Sequence, residues 1–247
     1  VQTELYIKPQ LWRIPAIPAT VTECLSEKTA GLQQRLQLIV SQHPNAKFAS
    51  SLAVEDMVIT DVLAKMQAGI EVFTLNTGRL NAETLALADT VGTHYPKLTF
   101  RLYTPEAAAA EAYILENGPN AFYESIELRK TCCRIRKVEP LNKALADADA
   151  WLTGQRRGQS VTRTELPFVE EDNSRGILKY NPIYDWSEAE VWAYILQNQV
   201  PYNPLYEQGY PSIGCEPCTR PVRIGEDIRA GRWWWESQDS KECGLHK

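Results

Sequence analysis

The chain has 247 residues, 44% of them hydrophobic and 23% charged, which suits one substantial buried core in a globular protein. Its 26 Lys and Arg against 31 Asp and Glu give a net charge of −5, excluding a general nucleic-acid binder while leaving room for local basic clusters. No apolar run approaches the ~20 residues that span a bilayer, and the first six residues lack the basic and apolar regions of a secretory signal. The expectation is a cytoplasmic protein, with no membrane or nucleic-acid partner, whose close cysteine pairs bind metal or do redox work.

Residues 1–20 carry Pro9, Pro15 and Pro18 and no helical period, so they read as an arm lying on the body or on a neighbouring subunit. Over 21–42, Leu25, Leu32, Leu36 and Ile39 recur near 3.6 spacing and predict a helix. An alternating rhythm comes next: strand 47–51, helix 55–67, strand 70–75, helix 81–91, strand 98–103 and helix 105–117. A helix over 126–146, a short strand over 150–153 and a late helix over 187–197 complete the elements, the last opened by a Ser187/Glu190 capping box. Strands alternating with helices predict an α/β fold with a parallel twisted sheet flanked by helices. The main domain is placed at 21–232, with an irregular C-terminal extension ending in a mobile segment over 233–247.

Six cysteines fall in distinct settings: Cys132-Cys133, Cys215-x-x-Cys218, Cys243 near the end, and Cys24 alone. Thiolates select zinc or iron–sulfur clusters, and two close pairs make a four-thiolate site. Adjacent cysteines on a helix reach one ion with difficulty, whereas separate iron corners take them more easily; one [4Fe–4S] cluster on Cys132, Cys133, Cys215 and Cys218 is favoured over zinc. Cys24 reads as a buried small hydrophobe. Cys243 lies among Lys241, His246 and Lys247, cations that lower a thiol's pKa if they fold over it, and Gly244 gives that stretch freedom.

Three basic groups stand out in this acidic chain. One is Arg220, Arg223, Arg229 and Arg232; a second is Arg156 and Arg157 with Arg163, just after the strand ending at Thr153; a third is Arg134, Arg136 and Lys137 beside the cysteine pair. Guanidiniums grip phosphate or sulfate oxygens in pairs, and ligands of open α/β sheets bind at strand C-termini. Two strand-end turns join them. The turn running from Ser50 and Ser51 to Glu55 and Asp56 leads into a helix, whose first backbone N–H groups can cradle an anion. The turn through Leu75, Thr77, Gly78 and Arg79 lets a ligand approach closely at its glycine.

Seven stretches, in this order, resemble the adenylyl-sulfate reductase family, the thioredoxin-dependent enzymes of assimilatory sulfate reduction: Ser50-Ser-Leu-Ala-Val-Glu-Asp-Met57, Asn76-Thr-Gly-Arg-Leu80, Lys130-Thr-Cys-Cys-Arg-Ile-Arg-Lys137, Thr153-Gly-Gln-Arg-Arg-Gly-Gln-Ser160, Gly214-Cys-Glu-Pro-Cys218, Gly231-Arg-Trp-Trp-Trp-Glu236 and Lys241-Glu-Cys-Gly-Leu-His246. The resemblance implies an adenine nucleotide α-hydrolase-like sheet related to the PP-loop ATP pyrophosphatases. It implies Cys243 as the catalytic nucleophile and a small-molecule sulfonucleotide as substrate, with thioredoxin or a glutaredoxin-like protein as reductant. Lys137, Arg229 and Arg232 would meet the phosphosulfate. Arg163 and the Ser50–Asp56 turn would hold phosphate or ribose, and the Leu75–Arg79 turn the adenine side. The sequence departs from the family at Asn76, where Asp is usual, and at Ala53, where Gly is common. Members that use 3′-phosphoadenosine 5′-phosphosulfate usually lack the four cluster cysteines, so the unphosphorylated substrate is expected here. A PP-loop ATP pyrophosphatase acting on tRNA is the distant alternative, and a non-catalytic nucleotide or metal sensor another. A homo-oligomer is also expected.

Overall fold

The computed structural model describes residues 10–159 and 164–237. Its strands are β1 (Lys47–Ala49), β2 (Glu71–Leu75), β3 (Phe100–Tyr103), β4 (Ala150–Leu152), β5 (Val169–Asp172) and β6 (Ile177–Tyr180). They form one sheet in the order β3-β2-β1-β4-β6-β5. The helices are α1 (Ala19–Gln42), α2 (Val54–Met66), α3 (Ala82–His94), α4 (Ala107–Asn117), α5 (Ile126–Cys133), α6 (Glu139–Ala144) and α7 (Glu188–Gln197). A π-helical turn, Arg134–Val138, joins α5 to α6, so the helix expected over 126–146 is one rod with a local widening.

Alternation along the strands sorts the core into two layers. Phe48, Val72, Ala150 and Leu152 share a core with Leu25, Leu32, Leu36 and Ile39 of α1 and with residues of α2, α3 and α7. Phe73 and Trp151, one residue over in register, pack instead on Leu141, Ala144 and Leu145. The four α1 residues picked out by the helical period are the helix's buried residues. Arg35 on α1 donates to both carboxylate oxygens of Asp185, at 2.6 and 2.8 Å, and so ties this helix to the turn before α7. The capping box is present: Ser187 Oγ accepts from the Glu190 N–H, and Glu190 accepts from the Ser187 N–H.

Two expectations change. The sheet is parallel except at one edge, where β5 runs antiparallel to β6. The two strands close through a turn in which Gly176 (φ +68°) donates to the Asp172 carbonyl, and Lys179 pairs with Glu170 directly across at 3.0 Å. Cys24 is exposed on α1 rather than buried: Leu25 takes the core-facing place beside it.

The arm, where described, lies on its own chain. Trp12 N–H donates to Val222 O and Ile224 N–H to Gln10 O, at 2.8 and 2.9 Å. Leu11 packs so close to Gly209 that an added Cβ there would sit 2.8 Å from the Leu11 Cβ. Among the described residues no helix is long and apolar enough to cross a membrane.

The packing of α1 predicts a contrast within one helix. Leu32 is fully buried and Leu38 is 45% exposed. Leu32→Ala should lower unfolding free energy by about 2–5 kcal/mol, and Leu38→Ala should leave it almost unchanged, as read by urea denaturation.

Candidate active site

Because β1 pairs with β2 on one side and β4 on the other, their outgoing loops part in opposite directions and open a crevice at the strands' C-terminal ends. A cavity of about 250 Å³ occupies this crevice. It is lined by the ends of β1, β2 and β4, the start of α2, and residues from Pro211 to Trp233 of the C-terminal extension.

Its floor is acidic. The turn after β1 carries Leu52 at φ +62°, a left-handed conformation that a leucine holds only because it is buried there. Ala53, at φ −66°, needs no glycine, so that family departure is conformationally neutral. The turn's N–H groups are largely taken from within: Ser51 N and Oγ both donate to Asp56 Oδ2 at 2.6 Å, Leu52 N to Ser50 Oγ, and Val54 N to the Tyr206 hydroxyl. Thus the turn offers carboxylates and hydroxyls to the cavity, and of its backbone N–H groups that of Ser51 is spent on Asp56. Burial pushes the Asp56 carboxyl up to about 7, against the hydrogen bonds from Ser51 and Gly154. Gly154 closes over it; a Cβ at 154 would fall 1.9 Å from Asp56 Oδ1, so no side chain fits. Glu55 is paired with Arg156 at 2.9 Å, both buried. Burial also raises the pKa of Glu188, which lines the same region. Gln155 lines the cavity too, and its Oε1 is buried with no hydrogen-bond partner among the described residues, leaving one acceptor for a ligand's donor.

The opposite end is cationic and adjoins the thiols. Lys137, Arg229 and Arg232 line the cavity together with Cys215. Burial works against a Cys215 thiolate, yet Lys137, the Thr77 hydroxyl at 3.3 Å, Arg232 and Arg136 outweigh it and hold the thiol below its ordinary pKa. Burial pushes Cys218 up to about 12 and raises Cys132 as well. The four thiols are in mutual electrostatic reach, Cys215 with Cys132 and Cys218, and Cys218 with Cys133. No three metal-ligating side chains among the described residues gather into a metal-binding group. Beside the quartet, however, Trp233 Nε1 and Arg232 Nε are buried without a partner among the described residues. Trp233 N–H donates to Cys218 O at 3.1 Å, and the Arg232 guanidinium acts electrostatically on both Cys215 and Cys218.

Of the residues picked out by sequence, Ser50, Ser51, Glu55, Asp56, Leu75, Thr77, Lys137, Arg229 and Arg232 line this cavity. Gly78 and Arg79 do not. Gly78 (φ +70°) makes the turn, and Arg79 points to Pro119 O and Asn120 Oδ1 with its guanidinium over the Phe122 ring. Asn76 Oδ1 accepts from Gly78 N–H at 3.0 Å, the bond an Asp would make, so this family departure preserves the turn. Arg163 and Cys243 lie outside the described residues. Several other arginines serve structure: Arg136 donates to Thr77 O, Arg134 pairs with Glu139, Arg157 donates to Leu166 O, and Arg220 pairs with Glu226. Sequence reasoning passed over Glu188, Tyr206 and Gln155 as site residues. The first two belong to no local motif and arrive by packing of α7 and the extension, whereas Gln155 sits inside a stretch already singled out.

An open α/β sheet with its crevice at the point where strand order reverses defines the class: a doubly wound, ligand-binding α/β protein. The fold is shared with yeast FAD synthetase, at TM-score 0.56 and 12% identity over 84% of this chain and 70% of that one. Residues 45–221 match the phosphoadenosine phosphosulfate reductase domain, and the chain belongs to that family. It is 62% identical, over the whole of both chains, to the adenosine 5′-phosphosulfate reductase of Neisseria meningitidis serogroup B. Among solved structures it is similar to the phosphoadenylyl-sulfate reductase of Candida auris in its phosphate complex, at TM-score 0.67 and 28% identity over 85% of this chain and all of that one.

The buried Asp56 predicts a pH effect. Its folded pKa is raised from 3.8 to about 7, so its contribution to stability is full below about pH 4 and is lost as pH rises to about 7. Asp56→Asn removes the ionisation. The difference in unfolding free energy, variant minus wild type, should therefore grow by a few kcal/mol between pH 4.5 and 7.5, as measured by denaturant titration. A difference constant with pH contradicts a neutral buried carboxyl.

Proposed function

We propose that the chain reduces adenosine 5′-phosphosulfate to sulfite and AMP, the activity named for its full-length relative, with Cys243 as nucleophile. The observation that carries this reading is that Lys137 and Arg232, which both act on Cys215, line one cavity together with Arg229 and with Ser51, Glu55 and Asp56 of the turn after β1. The phosphosulfate, with its several anionic oxygens, belongs at the cationic end. The ribose hydroxyls belong at the floor, where Glu55, Asp56 and Ser51 offer acceptors, with adenine toward Leu75 and Thr77. The four cysteines support the unphosphorylated nucleotide over its 3′-phosphorylated form, since family members that use the latter usually lack them.

In the first step the Cys243 thiolate attacks the sulfate sulfur; the S–S bond forms, the S–O bond to phosphate breaks, and AMP leaves with the electron pair. The product is an enzyme S-sulfocysteine. As the S–O bond breaks, negative charge builds on the phosphate oxygen, and Lys137, Arg229 and Arg232 stabilise it. A thioredoxin-type dithiol then attacks the Cys243 sulfur, releasing sulfite; its second thiol cleaves the mixed disulfide and restores Cys243, so the dithiol supplies both electrons. Two close cysteine pairs in mutual electrostatic reach, with the cationic Arg232 acting on Cys215 and Cys218, suit a [4Fe–4S] cluster held by Cys132, Cys133, Cys215 and Cys218. When bound, that cluster supplies local order and a fixed electrostatic field. Lys137 reaches both the cavity and Cys215, and thereby links the quartet to the substrate end.

Cys243→Ser should abolish sulfite release from adenosine 5′-phosphosulfate with thioredoxin while the iron and sulfide content stays at the wild-type value. Sulfite release by that variant would end the nucleophile assignment, and zinc in place of iron would end the cluster. In the intact protein kcat/KM should favour the unphosphorylated nucleotide. Lys137→Ala should lower kcat by about 10²–10³-fold, the loss expected when one fixed charge at the developing anion is removed. Full turnover together with an unaltered visible spectrum would remove Lys137 from this role.

A further inference from the structure

The buried ion pair between α5 and the C-terminal extension takes no part in the sulfuryl transfer itself. Arg129, three residues before Cys132, is fully buried. Its Nε donates to Glu236 Oε1 at 2.8 Å and its second guanidinium nitrogen to Oε2 at 2.7 Å, and the Glu236 side chain is 3% exposed. The same guanidinium stacks 4.8 Å from the Trp233 ring, which also receives Arg232 at 4.8 Å. Trp233 takes φ +42°, a left-handed backbone conformation that a tryptophan holds only when its surroundings impose it. Trp233 N–H reaches Cys218 O, and Glu236 N–H reaches Trp233 O at 2.9 Å. Arg129 also faces Cys133. Burial opposes its charge, yet Glu236 and Cys133 hold its pKa above the ordinary value. The stretch from Trp233 to Glu236 is therefore clasped between the two halves of the cysteine quartet, and Glu236 lies seven residues before Cys243. Seven residues reach at most about 25 Å. The clasp thus holds the chain at a point seven residues before Cys243 in sequence.

We propose that Arg129 and Glu236 are positioning residues: their fork-to-carboxylate pair fixes the origin of the Cys243-bearing segment against the cysteine helix, so that order at the quartet becomes placement of the nucleophile. This inference rests on Cys243 being the nucleophile. Arg129 does not line the cavity, so its loss acts on the attack step rather than on nucleotide binding.

The test uses full-length, cluster-loaded protein without reductant. Wild type, Glu236→Ala, Glu236→Gln and Arg129→Lys are mixed with adenosine 5′-phosphosulfate, and the S-sulfo adduct on Cys243 is timed by mass spectrometry. AMP affinity and the visible absorption of the cluster are measured alongside. Glu236→Ala and Arg129→Lys, which loses the planar fork, should slow adduct formation by about tenfold to a hundredfold, the cost of misplacing a reacting group. Glu236→Gln, which keeps one acceptor, should fall between these and wild type. AMP affinity should not change in any of them, and the cluster spectrum should not change in the Glu236 variants. Adduct formation at the wild-type rate in the alanine and lysine variants would overturn the proposal. So would a parallel loss of AMP binding and cluster absorption, which marks a merely structural pair. If wild type itself forms no adduct at Cys243, the nucleophile assignment fails first and this inference fails with it.

Discussion

The approach of Gly154 to the Asp56 carboxyl is the contact on which the crevice depends. It brings the loop leaving β4 down onto the turn leaving β1, at the place where two adjacent parallel strands send their chains apart. With any side chain at 154 the two loops would separate, and Glu55 and Arg156, 101 residues apart in sequence, would no longer meet. Losing one partner of such a buried pair strands an uncompensated charge, at a cost of about 3–5 kcal/mol. The same closeness helps raise the Asp56 carboxyl to about 7: burial beneath the glycine backbone outweighs the hydrogen bonds from Ser51 and Gly154.

From this floor the cavity gains its polarity. Carboxylates gather where the strands begin their outward loops, and cations arrive from two other parts of the chain, the π-helical turn and the C-terminal extension. A chain with net charge −5 thereby keeps a positive end for an anion without a basic surface. Many of its arginines are already engaged, in Arg35 with Asp185, Arg134 with Glu139, Arg220 with Glu226 and Arg129 with Glu236, and these pairs hold helices and turns in place.

Much of the fold was legible because periodicity is a local property. The 3.6 spacing of Leu25, Leu32, Leu36 and Ile39 and the apolar segments at β1, β2 and β4 carry their own signal. The β5–β6 hairpin did not, since β5 is Val-Glu-Glu-Asp and draws its stability from partners elsewhere: Lys179 across the ladder, and Trp151, whose indole donates to Asp172. The turn residues from Asp172 to Gly176 were the available clue. At the site, residues on strand-end turns could be read from motif position. Arg79 could not, because its direction is decided by an acceptor pair at Pro119 and Asn120 that no local pattern announces. Cys24 was misread for a related reason: one position along a helix separates core from solvent, and composition carries no phase.

The π-helical turn between α5 and α6 has a counting consequence. Upstream of it, the helix must present Cys132, Cys133 and Arg129 to the quartet and the C-terminal extension; downstream, Leu141 and Ala144 must face Phe73 and Trp151. A π turn holds about one residue more than an α turn while carrying the chain through nearly the same rotation, so the widening takes up an extra residue without changing which faces the two halves present. A one-residue deletion within it that restored α geometry would keep both faces, whereas the same deletion in the regular helix on either side would rotate one half against the other by about 100°. The widened turn is thus the one place in this rod where a change of length leaves the cysteine face and the core face in phase.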